Sequence, residues 1–209
     1  DHITLGITFG CPHGTAGVVA RNGRIVSGVQ LERILGIKYA WIANHEYVDD
    51  TIRNYAAMTP QKEPLAIEEY LPRLIDYLLE AAGATFEEID LVAYDRYSIA
   101  TGPFRAEDEG ANGYLDELFQ GKTVVRVPHH AGHQAQAFYP SPFEEAAILT
   151  IDGGSWAALE HLGGAPQNSS IARGEGKEIE IILENIGLGI SGKEYLRATM
   201  HIGFHLNEE

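Results

Sequence analysis

The chain has 209 residues, 44% of them hydrophobic and 22% charged, which is ordinary for a globular protein with room for one large domain or two small lobes. Its formal net charge of -15, with histidine neutral, argues against holding nucleic acid by charge attraction and favours cations. Cys11 is the only cysteine, so no intrachain disulfide forms and a reducing, cytoplasmic setting is expected. No apolar run approaches the roughly 20 residues that span a bilayer, so no membrane partner is expected.

In chain order, Ile3–Thr8 is predicted as a first strand, followed by a turn over Gly10-Cys11-Pro12-His13-Gly14-Thr15 and a second strand over Ala16–Ala20. Asn22-Gly23 is a strong two-residue hairpin signal, because both residues tolerate positive φ, and Arg24–Gln30 alternates as a third, antiparallel strand. Glu46–Met58 is the first helix candidate, ended by Thr59-Pro60. Leu71, Leu74, Ile75, Leu78, Leu79 and Ala82 follow helical spacing. They predict a second helix that packs this stripe on a core and stops at Gly83, with Pro72 either opening or kinking it. Thr85-Phe86-Glu87-Glu88 resembles a capping box around one short turn. Ile89–Tyr94 and Val124–Val127 read as strands, with a short helix over Tyr114–Phe119 between them. A helix-compatible, Ala/Gln-rich segment then begins at His129. Beyond it, Ala146–Ile151 reads as a buried strand, and Trp156–His161, Ser169–Arg173 and Glu178–Ile186 as further strands. Gly174-Glu175-Gly176 reads as a hairpin turn and Lys193–Ile202 as a helix. The pattern thus restarts after the histidine-rich helix, which predicts an α/β fold on a duplicated unit. A first lobe covers 1–140 and the start of a second covers 141–209, with ligand loops bordering a cleft between them.

His129 and His133 stand four residues apart, so on a helix both imidazoles share one face and reach one metal ion. Nineteen residues after His133, Asp152 follows the predicted strand and precedes Gly153-Gly154; a carboxylate at a strand's mouth beside glycines completes a metal or phosphate site. Such a mixed N/O set suits Fe(II), Zn(II) or Mn(II). His130, about 100° away around the helix, is expected to support or pack rather than ligate. His201 and His205 are also four apart but straddle Gly203 at a helix end, which argues against a second site. Cys11 has no Cys-His signature and reads as a small filler. Glu87-Glu88, Glu144-Glu145 and Glu208-Glu209 read as solvated pairs. Taken on residues alone, His13 is a loop histidine and Lys38 a solvated lysine.

The block from Val127 to Gly153 resembles, nearly throughout, the amino-terminal domain of the nodulation-type and antibiotic O-carbamoyltransferases, the family that includes tobramycin and cephamycin carbamoyltransferases. Gly132 before His133 is closer to the related tRNA threonylcarbamoyl-transfer factor. Ser170–Gly176 and Gly203–Glu208 resemble two further family blocks, and Gly6-Ile7, His13, Asn22-Gly23, Glu32-Arg33 and Lys38 fit its opening pattern. The chain departs from the pattern at Gly14, where an Asp is usual, at Gln30-Leu31, where acidic residues are usual, and at Tyr39, where a His follows the Lys. Gly154-Ser155-Trp156 is also shorter than the usual pattern.

The resemblance implies ribonuclease-H-like, actin-like ATPase lobes, duplicated, with the second incomplete. The family's chain is over twice this length and continues into the rest of that lobe and a separate carboxy-terminal domain. It implies an enzyme of biosynthesis that moves a carbamoyl group from carbamoyl-adenylate, made with ATP, to a hydroxyl of a small metabolite. His129, His133 and Asp152 would hold the metal, iron in the family, with Gly153 and Gly154 beside the nucleotide. His13 would be general base or positioner for the acceptor hydroxyl, and Lys38 would offset charge on the donor, both facing the cleft of the histidine pair. The 209-residue piece alone is expected to be inactive on carbamoyl phosphate plus ATP and to self-associate through its unfinished lobe. Two other readings stay open. One is an actin-like or sugar-kinase-like ATPase, which has no need of the His-x-x-x-His block. The other is a degenerate fragment of the same family that binds a metal or nucleotide without turnover.

Overall fold

An Asn-Gly turn organises the start of the fold. Asn22 and Gly23 both take positive φ, 52° and 78°, and join β2 (Ala16–Arg21) to β3 (Arg24–Gln30), while β2 also pairs antiparallel with β1 (Ile3–Phe9). The computed structural model describes residues 1–10, 12, 14–43, 48, 53, 56, 57, 59–96, 109–155, 167–184 and 198–203. Contacts divide the chain into two units, Asp1–Val127 and Pro128–Glu209.

In the first unit, α1 (Leu31–Leu35) ends at Gly36, whose φ of 69° suits a residue without a Cβ. The short strands β4 (Ile42–Ala43) and β5 (Leu65–Ala66) then pair in parallel. The predicted amphipathic helix forms as α2 (Ile67–Ala82), packs on β2 and β3, and buries Leu71, Leu74, Ile75, Leu78 and Leu79 in one core with Ile3, Leu5 and Ile7 of β1. It stops at Gly83 in the left-handed conformation. Pro72 lies inside the helix rather than at its first turn. No basic residue stands in the last turn of α2; Arg21 of β2 donates instead to the Ala82 and Gly83 carbonyls at 3.2 and 3.3 Å. The Glu88 carboxylate accepts from the Thr85 N–H at 2.8 Å, the reciprocal arm of a capping box. Next come β6 (Ile89–Arg96), α3 (Glu109–Leu118) and β7 (Thr123–Val127). The five-stranded sheet has the order β3-β2-β1-β6-β7, with β6 parallel to β1 and β7 parallel to β6. An antiparallel three-strand meander extended by two parallel strands is the ribonuclease-H-like arrangement.

In the second unit, α4 (His129–Phe138) precedes β8 (Glu145–Ser155), β9 (Gln167–Glu175) and β10 (Glu178–Glu184). These strands form an antiparallel sheet in the order β10-β9-β8, repeating the opening meander of the first unit. Gly176, with φ of 58°, turns the β9–β10 hairpin. α4 packs on β8 and β9, where Phe138, Ile148 and Ala172 form a small core.

Five expectations meet differences or limits. β8 is half-buried rather than buried: Ile148 and Thr150 face inward, whereas Leu149 and Ile151 are exposed, because α4 covers one face of this sheet among the described residues. α3 begins earlier than Tyr114. The predicted Glu46–Met58 helix falls mostly, and Trp156–His161 wholly, outside the described residues, and of Lys193–Ile202 only 198–202 is described, with 198–201 as helix.

Candidate metal centre

α4 starts directly after Pro128, whose extended backbone (φ -59°, ψ 141°) turns the chain from β7 into the helix. His129 and His133 fall one turn apart on a face offset from the buried stripe of His130, Gln134 and Phe138. That stripe is pinned at both ends. Phe138 lies so close to Gly174 of β9 that a Cβ there would stand 2.6 Å from the ring. At the other end, Gln134 Nε2 donates to the Ser170 hydroxyl at 2.9 Å, and the same hydroxyl lies 3.4 Å from His130 Nδ1. Ser170, His130 and Gln134 are all buried. The sequence assigns His130 a supporting or packing place but not its partners in this polar seam, Gln134 and Ser170; their trace is a pair of polar residues at helical spacing, His130 and Gln134, where a core-facing stripe is normally apolar.

With the stripe so placed, the other two histidines converge on β8. His129 Nε2 lies 2.8 Å from Asp152 Oδ2, His133 Nε2 lies 3.1 Å from His129 Nε2, and His133 Nε2 lies 3.7 Å from Asp152 Oδ2. Asp152 sits within β8, not beyond its end. The ladder with β9 is irregular between Ile151 and Ser155, and a local break in pairing frees a strand to re-aim a side chain. Gly153 and Gly154 continue the same strand.

The donor set fits a divalent cation. At metal–ligand distances of about 2.1 Å, neighbouring ligand atoms stand about 3.0 Å apart in octahedral and about 3.4 Å apart in tetrahedral geometry, and the three observed spacings bracket those values. A ring nitrogen carries one proton or one in-plane lone pair. His129 Nε2 therefore serves Asp152 or His133 well but not both, whereas a cation between the three atoms satisfies all of them. Two neutral imidazoles and one carboxylate leave a single negative charge to meet a divalent ion. His133 is the more open of the two histidines, its side chain 41% exposed against 17% for His129. Three protein ligands with an open side are the pattern of a reactive centre; structural sites are closed by four.

Lys38 is exposed in a turn of the first unit, its ammonium 5.0 Å from the centre of the Tyr39 ring. Tyr39 takes a left-handed φ of 57°, and Glu32 accepts its N–H at 2.9 Å. His13, Cys11 and His205 lie outside the described residues, and His201 is exposed. No helix among the described residues is long and apolar enough to cross a membrane.

Comparison with known proteins places this chain in a family. The uncharacterized protein sll1178 of Synechocystis sp. is 26% identical over 93% of this chain and 31% of its own length. The nodulation protein NolNO of Sinorhizobium fredii is 25% identical over 94% of this chain and 26% of its own length. The chain thus spans less than a third of the curated relatives it matches. Among solved structures, YeaZ from Pseudomonas aeruginosa (13% identity, 88% of this chain and 65% of that one) gives a TM-score of 0.45. ROK hexokinase from Thermus thermophilus (12% identity, 97% and 64%) gives 0.47. The family described as Carbamoyltransferase N-terminus matches residues 4–209, nearly the whole chain. The chain belongs to this family of carbamoyltransferase amino-terminal domains.

Proposed function

We propose that this chain is the metal- and donor-holding part of an O-carbamoyltransferase, which passes a carbamoyl group from carbamoyl-adenylate to a hydroxyl of a small metabolite. The observation that carries the reading is the convergence of His129, His133 and Asp152 in a chain of the carbamoyltransferase family. A divalent metal held by these residues, iron by the resemblance, would supply Lewis-acid polarisation of the donor's oxygens. Gly153 and Gly154, next to Asp152, carry no Cβ to hold a phosphate away from the backbone. Lys38 offsets negative charge on the donor. His13 takes the proton of the acceptor hydroxyl as its oxygen attacks the carbamoyl carbon. The new C–O bond forms, the bond from carbamoyl carbon to phosphate oxygen breaks, and adenylate leaves with the electron pair.

The test is a single-turnover assay on the longer protein that carries this domain, with carbamoyl-adenylate supplied ready-made and a panel of small alcohols. A carbamoyl ester should form, and His13→Asn should slow its formation by about 10²-fold or more while adenylate binding holds. Equal losses of transfer and adenylate binding in His13→Asn would remove its role as base, and no transfer to any alcohol would contradict the reading as a whole.

A further inference from the structure

We infer that Ser170 is a positioning residue for the metal centre: its buried hydroxyl, bound to Gln134 and facing His130, sets the rotation of α4 that aims His129 and His133 at Asp152. The inference rests on the metal reading above and extends it to residues that touch no ligand.

The geometry makes helix rotation the sensitive coordinate. Side-chain tips lie about 5–6 Å from a helix axis, so a turn of about 10° moves an imidazole nitrogen by about 1 Å. A metal site tolerates about half that displacement. The spacings of 2.8, 3.1 and 3.7 Å therefore require α4 to be fixed in azimuth as well as in position. Phe138 on Gly174 anchors the carboxy-terminal end of the helix, but a flat ring on a backbone constrains rotation weakly at the other end, two turns away. There the contact is polar. Gln134 Nε2 donates to Ser170 Oγ at 2.9 Å, which leaves the hydroxyl's own proton for His130 Nδ1 at 3.4 Å. A hydrogen bond is directional where apolar packing is not, and burial raises the cost of losing it. His130 and Gln134 each sit one residue along from a ligand, so holding these two residues holds His129 and His133. An apolar pair at 130 and 134 would bury as much surface without specifying the angle.

The experiment titrates the full 209-residue chain with Co(II), reading affinity and the visible ligand-field spectrum, beside thermal unfolding without metal. Ser170→Ala, which removes the hydroxyl with almost no change of volume, should weaken Co(II) binding about 10- to 100-fold and alter the spectrum, while unfolding stays cooperative. Ser170→Thr, which keeps a hydroxyl, should recover most of the affinity. Gln134→Met, which keeps shape and loses the donor, decides the matter should Ser170→Ala not fold. Unchanged affinity and spectrum in Ser170→Ala, or in Gln134→Met in that case, would overturn the inference while leaving the metal reading intact. A wild-type chain that does not bind Co(II) would overturn both.

Discussion

Tyr114 shows how single residues mend defects elsewhere in this fold. Pro72 has no N–H, so the Glu68 carbonyl one turn earlier in α2 lacks its helical partner. Tyr114 of α3 donates its hydroxyl to that carbonyl at 3.5 Å, a long bond. Burial, with Glu68 and Glu117 nearby, holds the Tyr114 hydroxyl above the usual tyrosine range, since all three oppose the phenolate. A folded-state pKa above the unfolded one means that the stabilising contribution is complete below the unfolded value and is lost as pH rises through the folded one. Urea unfolding at pH about 8 and about 11 should therefore show a larger alkaline loss in the wild type than in Tyr114→Phe. Equal losses would show that this hydroxyl does not report on folding.

At the scale of elements, α4 is the one whose seating decides the site. Gly174→Ala would bring a Cβ against the Phe138 ring, and either the ring or the helix must shift. The expected cost is about 1–3 kcal/mol, read by denaturant unfolding, together with weaker metal binding although no ligand has been touched. A variant with wild-type stability and metal affinity would show that α4 has room to move. Among the helices, α2 was the most legible in the sequence, whereas α1 gave no signal that was read. α2 declared itself through a run of leucines and isoleucines at helical spacing and a glycine stop, because apolar burial in the core of the first unit is what holds it. The Asn22-Gly23 turn was equally plain, since few other pairs accept positive φ twice. In α4 the candidate histidine pair was visible as His-x-x-x-His, and Asp152 as a carboxylate before two glycines. The seam beneath them was not, because a polar pair at helical spacing does not show what it binds until the partner strand is known. The continuation of β8 past Ile151 escaped for a related reason, since glycines at 153 and 154 read as a strand's end and no local rule shows where β9 resumes its pairing.

At the scale of the molecule, the repeated β-meander of the second unit is covered by α4 on one face among the described residues. On the other face Leu149, Ile171 and Leu183 lie in one row across β8, β9 and β10, with Leu149 and Leu183 exposed. An apolar row of this kind, flanked by strand edges, favours association of copies. Sedimentation velocity should show concentration-dependent association of the 209-residue chain that Leu149→Asp reduces, and a monomer at every concentration would count against that expectation. The central claim concerns the two histidines and the aspartate, and calorimetric titration with Zn(II) tests it most directly. The account predicts one ion per chain in the wild type, and binding weakened by about 10²-fold or more in His129→Ala and in His133→Ala with the far-ultraviolet circular dichroism unchanged. Binding that survives both substitutions at full strength, or its absence from the wild type, would contradict it.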